Sequence, residues 1–200
     1  GRRLRQAGWP ADAPALVVSR AGWPDQLASD HRVGALAEAA LLHAGLPVAN
    51  VAHEQQQLLA RGLDAPLPDA DELRAASAAG VAPLPAADWP RPPVWRTVLR
   101  AMLPPLRQRA AGAAGETLQR LADADDAWLE QQADRLLHGV MQGLDLGAAP
   151  FIAAALQVLW TDLVLRTQAV HATLKASAFG RIDDRSVCPA CASRPTASVI

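Results

Sequence analysis

Residues 149–176 read APFIAAALQVLWTDLVLRTQAVHATLKA. Pro150 suits the first turn of a helix, where the missing N–H has no partner to lose. From Phe151 to Trp160 every side chain is apolar except Gln157. A helix that is apolar on nearly all sides has no face to give to water, so this one is expected at the centre of a helical bundle, running to about Ala176.

The same period of 3.6 residues recurs towards the N-terminus. A helix is expected over Asp125–Val140, with Trp128, Leu129, Ala133, Leu136 and Leu137 inward and a turn after it bracketed by Gly143 and Gly147. A shorter helix spans Gly115–Leu121. Trp95, Val98, Leu99 and Met102 mark a helix that should stop at Pro104-Pro105. Asp69 opens a short helix that Gly80 closes. Two more helices precede it. One starts at Pro47, carries Val48, Val51, Ala52, Gln55, Leu58 and Leu59 on its face and ends at Gly62. The other is capped by Ser29 or Asp30, carries Val33, Leu36, Ala37, Ala40 and Leu41, and stops at Gly45. The prolines of Val81–Pro93 predict an irregular connector. Ala15–Val18 and Thr196–Ile200 have the character of short strands.

Composition agrees with this mainly α reading. Half of the 200 residues are hydrophobic, mostly Ala and Leu, with few aromatics and no Tyr. Strands favour β-branched and aromatic residues instead. The formal net charge of −1 and the absence of a basic run exclude an ordinary nucleic-acid binder. No uncharged apolar stretch has the length of a membrane span; Phe151–Leu165 is short and holds Asp162. The Arg-rich start is not followed by an apolar core, so no secretory signal is expected and a cytoplasmic location is the default.

The residue patterns of common enzymes are missing. There is no P-loop, dinucleotide fingerprint or nucleophile elbow. His53-Glu54 begins like a zinc-protease helix, but Gln57 stands where the second histidine belongs. His31, His43, His53, His138 and His171 fall on separate segments. Asp123, Asp125, Asp126 and Glu130 cluster at a helix start, where negative charge complements the macrodipole without any catalytic role.

One sharp motif is left, Cys188-Pro189-Ala190-Cys191, holding the only two cysteines. At this spacing two thiolates can curl round one metal ion, as in one knuckle of a rubredoxin or zinc ribbon. Four ligands make a tetrahedral site, so Cys188 and Cys191 supply half, and the partner knuckle is expected beyond Ile200 or, in a homodimer, from a second copy. Two other readings stay open: a thioredoxin-type redox pair, which belongs at a helix N-terminus beside a βαβ unit, and two incidental thiols.

The residues around these features resemble the formate dehydrogenase accessory proteins (FdhE). Ala149-Pro150-Phe151-Ile152 through Leu156 and Trp160 is similar to that family's hydrophobic helix. Cys188-Pro189-Ala190-Cys191-Ala192-Ser193-Arg194-Pro195 through Val199 is similar to its cysteine segment, and the likeness covers roughly Pro47 to Ile200. Membership implies a helical domain followed by rubredoxin-like modules, iron or zinc at Cys188 and Cys191, no catalysis by the chain itself, and binding of the catalytic subunit of respiratory formate dehydrogenase in the cytoplasm before export. The chain then divides into a divergent segment 1–45, a helical bundle 46–180, and a linker with the first knuckle of a truncated rubredoxin- or zinc-ribbon-like module at 181–200. Ala192 departs from the pattern, because such knuckles carry Gly there; if φ is positive, Ala costs about 1 kcal/mol.

Overall fold

The computed structural model describes residues 54–55, 57–59, 61–172, 179–180, 182–184 and 186–193. The helix expected between Ser29 and Gly45, both short strands and the divergent segment 1–45 lie outside these residues. Among the described residues the fold is helical, without strands. Its bounded helices are α1 (Ala70–Ala79), α2 (Val94–Arg107), α3 (Gly112–Asp123), α4 (Asp126–Leu137) and α5 (Ala149–Val170).

Helix α5 is the hub. Its buried residues, Phe151, Ile152, Ala154, Ala155, Leu156, Val158, Leu159, Trp160, Leu163 and Val164 among them, face every direction. By length and composition alone it could cross a membrane, but 61% of its most apolar window is buried inside the domain. Its one buried carboxylate, Asp162, is paired with Arg166 at 2.7 Å and accepts the Leu63 N–H at 3.2 Å. The helix ends earlier than the expected Ala176. Val170 is exposed, His171 and Ala172 form a turn, and the His171 Nε2–H donates to the Pro68 carbonyl at 3.1 Å.

Helices α2 and α4 pack on α5, and α3 folds back on α2. Helix α2 buries Trp95, Val98, Leu99, Met102, Leu103 and Leu106. It does not stop at Pro104-Pro105 but runs to Arg107 with both prolines inside. Burial of Leu103 and Leu106 holds the last turn against the core. The carbonyls that the prolines cannot satisfy belong to exposed Arg100 and Ala101, where water can reach them.

Helix α1 matches the sequence reading closely. The Asp69 carboxylate accepts from the N–H groups of Asp71 and Glu72, both at 2.8 Å, and Glu72 returns a bond to the Asp69 N–H at 2.8 Å. Gly80 closes the helix in the left-handed conformation at φ +65°. Residues 54–55, 57–59 and 61 are helical, and Gly62 ends that element at φ +68°. Fully buried Gln55 donates its Nε2–H to the Ala154 carbonyl of α5 at 3.0 Å.

Helices α3 and α4 start and stop within a few residues of expectation. Asp125 caps α4 by accepting the Trp128 N–H at 2.7 Å. The α4–α5 turn is held from two sides. Buried Gln132 donates to the Gly143 carbonyl at 3.2 Å and accepts the Asp145 N–H at 2.7 Å. Asp145 in turn accepts the N–H groups of Gly147 (2.9 Å) and Ala148 (3.0 Å), so its carboxylate orders the turn that leads into α5.

Candidate metal centre

The connector 81–93 carries no regular structure, as its prolines predict, yet Ala82, Leu84 and Ala86 are buried. It serves as a shelf for the chain returning from α5. Ile182 is buried, and the Asp183 N–H donates to the Gly80 carbonyl at 3.0 Å. Asp184 then orders the approach to the cysteines by accepting the Ser186 N–H (2.8 Å) and hydroxyl (2.6 Å).

The cysteines sit in a closed turn. The Ala192 N–H donates to the Cys188 carbonyl and the Cys188 N–H to the Ser193 carbonyl, both at 2.9 Å. To close it, Ala192 adopts φ +57°, and it is the one non-glycine residue with positive φ among those described. The strain foreseen for Ala in place of Gly is present.

Cys188 and Cys191 are half-buried free thiols. The Cys191 S–H donates to the Cys188 sulfur and holds the Cys188 thiol down at about 6, although burial pushes the other way; the N–H groups of Ala190 and Cys191 add to the pull. Cys191 is pushed up because its proton serves Cys188, because it is buried, and because the Cys188 thiolate is close; Ser193 opposes this weakly. At neutral pH the pair therefore shares one proton. Two sulfurs converging on one turn, one already a thiolate cradled by backbone N–H groups, fit half of a tetrahedral iron or zinc site. Among the described residues no group of three or more His, Cys, Asp or Glu completes it. His138 donates its Nδ1–H to the Asp134 carbonyl at 2.9 Å and His171 is tied to Pro68, so neither approaches the cysteines. His31, His43 and His53 lie outside the described residues.

The cysteine turn is docked on the helical domain. The Leu84 N–H donates to the Ala190 carbonyl at 3.0 Å and the Ala86 N–H to the Cys191 carbonyl at 2.8 Å. Ala190 is buried in the main core cluster, where Cys188 and Cys191 pack against it. From α5, Trp160 donates its Nε1–H to the Leu84 carbonyl at 3.1 Å. Sequence reasoning missed Leu84, Ala86 and Trp160, because their partners lie far along the chain and leave no local pattern.

The acidic cluster has a structural explanation, wider than the macrodipole alone. Asp123 accepts from Gln119 at 2.8 Å. Asp126 pairs with Arg100 (2.6 Å) and Arg96 (3.3 Å), while Glu130 pairs with Arg96 and with Arg91 (2.6 Å), which also reaches Asp134 at 2.7 Å. The spacing of Asp126, Glu130 and Asp134 at every fourth residue signals one charged helix face, but the arginines opposite come from the connector (Arg91) and from α2 (Arg96 and Arg100).

Fold and site together define a helical domain with a two-cysteine turn locked to its own core. A family model described as FdhE, N-terminal, matches residues 26–175, reaching upstream of Pro47. A protein FdhE homolog of Pectobacterium carotovorum is 33% identical over 191 residues, 95% of this chain and 56% of that protein. One from Pasteurella multocida is 36% identical over 118 residues, 59% of this chain and 36% of that protein. The crystal structure of the FdhE protein from Pseudomonas aeruginosa superposes with a TM-score of 0.56 at 27% identity, over 84% of this chain and 60% of that one. The chain belongs to the FdhE family. It spans about half the length of the Pectobacterium relative it matches.

Proposed function

We propose that this chain is the helical body and first metal knuckle of an accessory factor that binds the catalytic subunit of respiratory formate dehydrogenase in the cytoplasm and supports its assembly before export. Membership of the FdhE family carries the reading, and the docked two-cysteine turn supports it. Cys188 and Cys191 hold iron or zinc, with the remaining ligands from a further knuckle beyond Ile200 or from the partner copy of a homodimer. Cys188 and Cys191 would hold the metal as thiolates after releasing their remaining proton to solvent, and it would supply a cross-link between the two sulfurs. The protein acts by binding rather than by catalysis. Co-purification of the full-length protein with the dehydrogenase catalytic subunit is the test, and failure of the two to associate would overturn the proposal.

One observation favours a second reading, a thiol–disulfide redox protein: the acidic Cys188 thiol. Against it, Cys191 is followed by left-handed Ala192 rather than by a helix, so no helix N-terminus supports a nucleophilic thiolate. A zinc-ribbon interaction module is a third. Disulfide-reductase activity that Cys188→Ser abolishes would select the redox reading.

A further inference from the structure

We infer that Trp160 is a positioning residue for the two-cysteine turn, acting through Leu84 to hold Cys188 and Cys191 in register before a metal arrives. The inference rests on the reading of these cysteines as metal ligands. Trp160 lies on α5, the longest helix among those described, and is 8% exposed. A buried indole N–H usually finds an acceptor, and whereas that of Trp89 has none, that of Trp160 has the carbonyl of fully buried Leu84, 76 residues away. Leu84 is thereby fixed on its carbonyl side, while its N–H engages the carbonyl of Ala190, between the two cysteines.

Pro85 sets the spacing to the next donor. It has no N–H, its φ is locked, and its carbonyl accepts the Trp89 N–H at 2.7 Å. The next free donor, Ala86, therefore meets the Cys191 carbonyl at 2.8 Å. Two backbone donors held by a stiff residue grip the cysteine turn at two successive carbonyls, and Trp160 ties that grip to the core. Pre-ordering of this kind lowers the entropy lost when a metal gathers its ligands, the part that partners behind metal ligands commonly play.

Trp160→Phe keeps an aromatic ring but removes the N–H together with the five-membered half of the indole, a loss of volume that a second Trp→Phe substitution must match. The test is cobalt(II) titration of the reduced full-length protein, read by thiolate-to-cobalt charge-transfer absorption, together with the rate of iodoacetamide alkylation of Cys188 and Cys191 in metal-free protein. Trp128→Phe, a half-buried indole elsewhere on the core, controls for loss of packing. Trp160→Phe is expected to weaken cobalt binding about tenfold and to speed alkylation severalfold, with Trp128→Phe unchanged in both. Equal behaviour of the two variants would overturn the inference. If wild-type protein binds no cobalt, the metal reading fails, and the alkylation rates still decide whether Trp160 positions the turn. Should Trp160→Phe lose its helical circular dichroism, Ala86→Pro, which removes the donor to Cys191 without touching α5, reads the same two quantities.

Discussion

Trp95 and Glu130 face each other across α2 and α4, and the fully buried indole gives its N–H to the carboxylate at 2.8 Å. The same carboxylate takes the guanidinium of Arg91 through two N–H groups, at 2.9 and 2.6 Å, and that guanidinium lies over the Trp95 ring, 5.8 Å from its centroid. Burial works against the charge on Arg91, but its bonds to Asp134 and Glu130 outweigh that and raise its pKa further. Glu130 is thus the common acceptor of an indole and two arginines, joining helices that each pack separately on α5.

Replacing Glu130 by Ala leaves the Trp95 N–H buried without an acceptor and leaves Arg91, whose side chain is 10% exposed, with Asp134 as its remaining carboxylate. The expected loss is about 2–3 kcal/mol of unfolding free energy, because bonds to charged partners are the stronger kind and an orphaned buried donor keeps its full desolvation penalty. Urea denaturation checks this as a lower midpoint with unchanged slope.

Ala192→Gly removes the side chain from a residue at φ +57°. Relief of left-handed strain exceeds the added freedom of glycine in the unfolded chain, so a net gain of about 0.5–1 kcal/mol is expected. Because the turn is docked on Leu84 and Ala86, the gain should appear in global thermal unfolding. An unchanged melting temperature would mean that the turn unfolds separately from the helices.

Gly80→Ala and Gly62→Ala form a matched pair. Both positions have positive φ, at +65° and +68°, but a methyl group at Gly62 meets nothing within 4 Å whereas one at Gly80 would sit 2.8 Å from the Asp183 carboxylate. Each variant should lose about 1 kcal/mol to backbone strain. Gly80→Ala should lose more, and the excess should vanish in an Asp183→Ala background, a difference that a double-mutant cycle measures directly.

Asp145 gives the pH dependence. Burial pushes its carboxyl up, but the Ala148 N–H, Arg120 and the Gly147 N–H together outweigh it and hold the pKa below the usual carboxylate value. A group lowered in the folded state stabilises it above its ordinary pKa, and that stability disappears as pH falls through the lowered value. Asp145→Ala removes two turn hydrogen bonds and the pair with Arg120, and should therefore cost about 1 kcal/mol at neutral pH. The gap between wild type and variant should shrink steadily below about pH 4. A gap independent of pH would show that the carboxylate charge does not matter.

Local chemistry announced a good part of this protein. The Asp69–Glu72 box and Gly80 delimit α1 through bonds within a few residues of each other, and the cysteine spacing marks the candidate site without any knowledge of the fold. The all-round apolar surface of α5 likewise declares a helix hidden from water, since it has no polar face to turn outward. Where α2 ends is different: a proline pair is a stop signal locally, and only the burial of Leu103 and Leu106 overrides it.

What holds the candidate site was decided by tertiary structure. Trp160, Leu84 and Ala190 belong to three segments with no shared period, and the proline-rich connector looks in sequence like filler between helices. Its backbone N–H groups become the seat of the cysteine turn only because the core brings α5, the connector and the returning chain to one place. The amino-acid sequence by itself determined which of the described helices form and which two sulfurs make the candidate site, because caps and hydrophobic period act over a few residues. How firmly those atoms are held depends on hydrogen bonds between residues as far apart as Leu84 and Ala190, and those exist only once the chain has packed.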